Sequence, residues 1–136
     1  MGNKGKILLV DDEPDVVQVV GTHLRTAGYK VSVAYDGQQA LDQVRHDRPD
    51  LVILDIMLPK VDGYKVCRLL KFDERYKEIP VLILTARSNA EDLKLATDYG
   101  ASACLNKPFE PQVLLGMLEK LMAAASKSGS EQSNAD

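Results

Sequence analysis

Asp50-Leu51-Val52-Ile53-Leu54-Asp55-Ile56-Met57 is the stretch on which the fold turns. From Leu51 to Leu54 the side chains are apolar without alternation, and β-branched Val52 and Ile53 sit in the middle. A strand wetted on one face alternates apolar and polar residues. A short run without alternation fits a strand covered on both faces, as inner strands of a parallel sheet are. Pro49 closes the helical pattern before it, so a strand is predicted at Asp50–Leu54 with Asp55 at its carboxyl end.

Working outward, the same alternation of short apolar runs and longer helical patterns fills the chain. Upstream, Gln38–Arg48 reads as a helix with Ala40, Leu41 and Val44 inward, and Lys30–Ala34 as a valine-rich strand near the sheet margin. Before these, Pro14 opens a helix carrying Val16, Val17, Val20, Leu24 and Ala27, Gly28 stops it, and Lys6–Val10 is the first strand. Downstream, a loop at Met57–Asp62 leads to a helix from Gly63 to about Phe72, then a strand at Val81–Leu84. A helix at Asn89–Tyr99 ends at Gly100, and Ala103–Leu105 is a short fifth strand. The last helix, Pro111–Ala125, carries Val113, Leu114, Met117, Leu118, Leu121 and Met122 on one face. Alternating strands and helices with short connections predict an α/β domain, doubly wound in three layers around a five-stranded parallel sheet. The polar, serine-rich stretch after Ala125 is aperiodic, and residues 124–136 are expected to be a disordered tail or a linker.

Composition narrows the function classes. The 136 residues suffice for one domain with its own core. A formal net charge of −3 gives no basic excess for the phosphates of nucleic acid or for an anionic membrane surface. Cys67 and Cys104 are far apart in sequence and lack a histidine cluster, so they read as reduced thiols rather than zinc or redox ligands. Met1–Lys6 is followed by no secretory apolar run, and no stretch approaches a membrane span in length. The expected location is the cytoplasm.

In an open parallel sheet, ligands sit beyond the carboxyl ends of the strands. The first strand delivers Asp11-Asp12-Glu13 there, the third Asp55, the fourth Thr85-Ala86 and the fifth Asn106-Lys107-Pro108. Clustered carboxylates repel one another, and a divalent cation relieves them; Mg²⁺ takes oxygen ligands and keeps waters that phosphate oxygens can replace. A lysine adds a mobile cation for phosphoryl charge, and a carboxylate in such a site can be a nucleophile toward phosphorus. Singly, the acidic pair reads as a solvated turn, Glu13 as a charge favouring a helix start, Thr85 as a turn hydroxyl and Lys107 as a surface lysine. Their joint delivery to one sheet edge is what favours chemistry.

Lys6–Glu13 (KILLVDDE), Leu54–Pro59 (LDIMLP), Asp62-Gly63, Leu84-Thr85-Ala86, Gly100-Ala101 and Lys107-Pro108-Phe109 together resemble the marks of response-regulator receiver domains, over roughly residues 5–123. The resemblance implies a flavodoxin-like (βα)5 fold with strand order 2-1-3-4-5. It implies that Asp55 is the phosphoacceptor, that Asp12 binds Mg²⁺ directly (Mn²⁺ substituting) and that Asp11 acts on the metal through water. The backbone carbonyl of Met57 would be a further metal ligand. Thr85 would meet the phosphoryl group, Lys107 would pair with it, and the bond to Pro108 would be cis. The donor would be a histidine kinase or a phosphotransfer protein. The domain would switch a face toward an output partner or output domain, as a monomer or a phosphorylation-dependent dimer. It would be a signalling protein whose only catalysis is its own phosphorylation and dephosphorylation. Met57 and Arg87 occupy positions that tune phosphoryl lifetime in the family. Cys104 departs from the pattern, since the family usually places there an aromatic ring that swings inward.

Two other functions fit less well. A phosphohydrolase or phosphotransferase for a small substrate would want a second acid after Asp55, where Ile56 and Met57 stand. A nucleotide-binding module would want glycine in the first strand-to-helix turn, which here is Asp11-Asp12-Glu13-Pro14.

Overall fold

The computed structural model describes residues 4–56, 63–85 and 94–125 in full, and 90–93 and 126–135 as helical backbone. The elements, in chain order, are β1 (Lys6–Val10), α1 (Pro14–Thr26), β2 (Lys30–Ala34), α2 (Gly37–His46) and β3 (Leu51–Asp55). They continue with α3 (Gly63–Lys71), β4 (Val81–Thr85), α4 (Ala90–Asp98), β5 (Ala103–Asn106) and α5 (Pro111–Ala135). All strand pairs are parallel, in the order β2-β1-β3-β4-β5.

The inner strands explain the layering. Every residue of β3 and β4 is buried. Because successive side chains point to opposite faces, the apolar run splits into two cores. Leu8, Val10, Val52, Leu54, Val81 and Ile83 face one way, against Ala40, Leu41 and Val44 of α2, Val66, Cys67 and Leu70 of α3, and Ala96 of α4. Ile7, Leu9, Leu51, Ile53, Leu82 and Leu84 face the other way, against Val17, Val20 and Leu24 of α1 and Leu114 and Leu118 of α5. Each fully buried aliphatic side chain contributes about 1.5–3 kcal/mol of transfer free energy, so both layers are strongly specified. β2 and β5, at the sheet edges, are only partly covered.

Element ends depart from the sequence expectations by a residue or two, for identifiable reasons. β3 starts at Leu51, not Asp50, because Asp50 locks the register instead: its N–H donates to Lys6 O, and its Oδ2 accepts from Lys6 N–H at 2.8 Å. α2 stops at His46, short of Arg48. Asp47 turns extended and places its Oδ1 2.8 Å from Lys6 Nζ, and Arg48 precedes a proline. Asp55 and Thr85 are the last residues of their strands rather than the first beyond them; Asp55 pairs with Leu84, and Thr85 with Asn106. The largest departure is α5, which continues to Ala135 through the aperiodic polar stretch expected to be a disordered tail or a linker. That stretch holds no proline, and lengthening an existing helix adds a hydrogen bond for each residue fixed. No helix among the described residues is long and apolar enough to cross a membrane.

Candidate functional site at the carboxyl edge of the sheet

The chain passes from β1 out to β2 and then crosses back over β1 to β3, so the winding reverses there and a crevice opens beyond the strand ends. Asp11 follows β1 into that crevice and is fully buried. Its N–H donates to Ala34 O at 3.1 Å, and its Oδ1 accepts the Glu13 N–H at 2.9 Å, which fixes the carboxylate. Glu13 is the N-cap of α1 and Pro14 its first residue, so the chain turns away immediately and leaves Asp12 and Glu13 exposed.

Asp55 ends β3 nearly buried, and Thr85 ends β4 in the same condition. The backbone behind Asp55 is held by Ile56 N–H to Leu84 O at 3.3 Å and by Gly63 N–H to Ile56 O at 2.9 Å. A Cβ at Gly63 would collide with the Asp55 carbonyl oxygen and lie 2.7 Å from Ile56 Cα. Only glycine lets the first turn of α3 approach the strand end this closely.

From the far side, β5 brings Lys107. Its N–H donates to Thr85 O at 2.7 Å, and the following bond to Pro108 is cis, as the resemblance implied. Its Nζ donates to Asp11 Oδ2 at 3.1 Å and to Asp55 Oδ2 at 3.3 Å, and lies 4.0 Å from Glu13 Oε1. Burial pulls the Lys107 ammonium down, but the hydrogen bond to Asp11 and the charges of Asp55 and Asp11 outweigh it, so its pKa stands above the usual lysine value. One ammonium thus serves two buried carboxylates, with two further carboxylates close by.

That arrangement suits a hard divalent cation. One oxygen each from Asp11, Asp12, Glu13 and Asp55 lie within 4.8 Å of one another. Opposite ligands of an octahedral Mg²⁺ stand about 4.2 Å apart, so small side-chain movements suffice to gather this set on one ion. The donors are all carboxylate oxygens, the ligand type magnesium and manganese prefer.

The structure brings together Asp11, Asp12, Asp55, Thr85 and Lys107 as the sequence predicts. Met57 and Arg87 lie outside the described residues. Glu13, which the sequence delivers to this edge with the Asp pair and which read singly is a helix-start charge, has its carboxylate in the same acidic group. Cys104 is partly buried on β5 and packs on the α2–α3–α4 core, as Tyr64 and Ala101 also do. Burial pushes its thiol pKa up. Among the described residues, no buried side-chain nitrogen or oxygen lacks a hydrogen-bond partner.

Comparison with known proteins agrees with this geometry. The family model for the response regulator receiver domain matches residues 7–119. The DNA-binding dual master transcriptional regulator RpaA of Synechocystis sp. is 42% identical over 117 residues, covering 86% of this chain and 48% of that protein. The response regulator Rre1 of the same organism is 42% identical over 129 residues, covering 92% of this chain and 56% of that protein. This chain therefore spans about half the length of these curated relatives. Among solved structures, the chemotaxis response regulator CheY4 of Vibrio cholerae superposes with a TM-score of 0.81 at 34% identity, covering 85% of this chain and 97% of that one. Sheet order, edge-of-sheet carboxylates and sequence likeness converge: the chain belongs to the response regulator receiver domains of two-component signalling systems.

Proposed function

We propose that Asp55 accepts the phosphoryl group. The observation that carries this reading is the pairing of two buried carboxylates, Asp11 and Asp55, through the single ammonium of Lys107, beside the buried hydroxyl of Thr85. In the transfer, an Asp55 carboxylate oxygen attacks phosphorus in line as the bond to the leaving group breaks. The donor is a phosphohistidine of a kinase or phosphotransfer protein, whose imidazole leaves, or a small acyl phosphate, whose carboxylate leaves. Lys107 releases Asp55 Oδ2 and follows the negative charge onto the phosphoryl oxygens. The Thr85 hydroxyl donates to another of them. Asp11 stays in place, held by the Glu13 N–H.

Asp12 and Asp55 would hold Mg²⁺ directly, Asp11 through water, and the Met57 carbonyl would complete the protein ligands; Mn²⁺ substitutes. The metal supplies charge neutralisation for the incoming phosphoryl group, the role that clustered acids cannot fill themselves. Hydrolysis of the product by water returns the domain to its starting state, so its only catalysis is on itself. Residues 5–123 are the receiver unit and residues 124–136 a polar tail or linker; the unit acts on an output domain or a separate output partner. The domain works in the cytoplasm, does not itself bind nucleic acid or membrane, and acts as a monomer or as a dimer formed on phosphorylation.

Acetyl phosphate with Mg²⁺ tests the reading. The wild-type chain should gain one acid-stable, base-labile phosphoryl group by intact mass, and Asp55→Asn none. Equal labelling of the two proteins would overturn it.

A further inference from the structure

The phosphoryl site sits between two strand ends, and each leads to a helix on the same side of the sheet. Asp55 leads to α3, whose first residue, Gly63, is pressed against the Asp55–Ile56 backbone. Thr85 leads to α4, which begins at Ala90. The two helices meet again at the far end of α4. There the Tyr64 ring, one residue after Gly63, packs on the Tyr99 ring with centroids 5.4 Å apart and planes tilted by 30°. Cys67 Sγ donates to Tyr99 O at 3.5 Å. Burial pushes that thiol up to about 11, so it stays protonated and able to donate. The following residue, Gly100, has φ +97, and its α-carbon lies so close to Lys71 of α3 that a Cβ would come within 2.7 Å of Lys71 Cγ. Lys71 in turn donates to Ile79 O at 2.6 Å and to Lys77 O at 3.2 Å.

α4 also packs on β5. Of its side chains from Lys94 to Asp98, only Ala96 is buried, and Leu95 is 41% exposed. A helix segment that buries few of its described side chains has the character of the lower-stability parts of a fold, which move first. Cys104, which packs on the same core as Tyr64, has no ring of its own to transmit such a movement.

We propose that the Tyr64–Tyr99 contact is the latch between α3 and α4, holding α4 in its unphosphorylated position. The inference rests on Asp55 being the phosphoacceptor and goes further by naming where its state is read out. One tyrosine is fixed to the Asp55 strand end through Gly63 and the other to the helix that follows Thr85. A change in the separation of Asp55 and Thr85 that carries α4 with it is therefore felt at this contact. By reciprocity, loosening the contact must favour the phosphorylated conformation to the same extent that phosphorylation loosens the contact.

The test uses the full chain with Mg²⁺ and beryllofluoride as the phosphoryl mimic. Tyr64→Leu keeps the apolar packing and removes the stacked ring, and should bind the mimic about twofold to about tenfold more tightly, the range an aromatic pair spans. Tyr99→Leu should do the same from the other side, which covers the case in which one variant fails to fold. Adding Thr85→Ala should abolish the gain. In wild-type protein carrying 3-fluorotyrosine, the Tyr64 and Tyr99 resonances should shift on adding the mimic, while those of Tyr29 and Tyr76 stay in place. Unchanged or weaker binding by the folded leucine variants, or unmoved Tyr64 and Tyr99 resonances, overturns the latch. Binding of the mimic by Asp55→Asn would instead remove the phosphoacceptor reading on which the latch rests.

Discussion

Replacing Lys107 with methionine keeps the length of the side chain and removes its charge. Asp11 and Asp55 each place an oxygen little more than 3 Å from the same nitrogen, 3.1 and 3.3 Å, so the two carboxylates are close neighbours. One oxygen of each lies within 4.8 Å of the other, and at that separation and an effective dielectric of about 20 their mutual repulsion is about 3.5 kcal/mol. Removing one partner of a buried pair is worth about 3–5 kcal/mol in general. Solvent reaches part of Lys107, which discounts that range, and Lys107→Met should lose about 2–3 kcal/mol of stability at pH 7. Urea unfolding at pH 7, with and without millimolar Mg²⁺, checks this. The loss should shrink with Mg²⁺, which replaces the missing cation. In the wild type the Lys107 pKa is raised in the fold, so its contribution is complete below the ordinary lysine value of 10.5 and lost only as pH rises through the higher folded value. A Lys107→Met protein as stable as wild type, or one that Mg²⁺ does not rescue, would refute the reasoning.

Three further expectations follow from the site and its supports. Gly63→Ala should lower stability by more than about 2 kcal/mol in urea unfolding, because its Cβ meets backbone that cannot yield. Asp12→Ala should lose Mg²⁺ binding by calorimetry while the metal-free fold is unchanged or slightly stabilised, since an exposed like charge has gone from the acidic group. With a thiol reagent at pH 8, Cys104 should be modified well before Cys67, which is fully buried and whose thiol pKa is pushed up to about 11; mapping the labelled peptide over time decides it.

Much of this molecule was legible in the sequence because its signals are local. The unbroken apolar runs at Leu51–Leu54 and Val81–Leu84 demand cover on both faces, and the structure provides it. Pro14, Gly28 and Gly100 mark helix ends by backbone preference alone, and Gly28 and Gly100 do adopt positive φ. The site residues were legible because parallel strands all deliver their carboxyl ends to one edge. What stayed hidden depends on contacts distant in sequence. Asp47 leaves α2 early to meet Lys6, and Asp50 gives up its place in β3 to hold the Lys6 backbone. The need for Gly63 is visible only once α3 lies against the Asp55 carbonyl. The pairing of Tyr64 with Tyr99 joins two helices that no periodicity relates. The continuation of α5 past Ala125 was missed because its apolar stripe ends at Met122, whereas helix propagation needs no stripe.

The identity of the phosphorylated residue is the central claim, and reduction of the acyl phosphate tests it at the level of one atom. Borohydride converts a phosphorylated aspartate to homoserine and leaves free carboxylates intact. After phosphorylation with acetyl phosphate and Mg²⁺, reduction and proteolysis, peptide sequencing by mass spectrometry should find homoserine at position 55 and aspartate at positions 11 and 12. Homoserine at 11 or 12, or aspartate intact at 55 in protein that carries the phosphoryl group, would contradict the account.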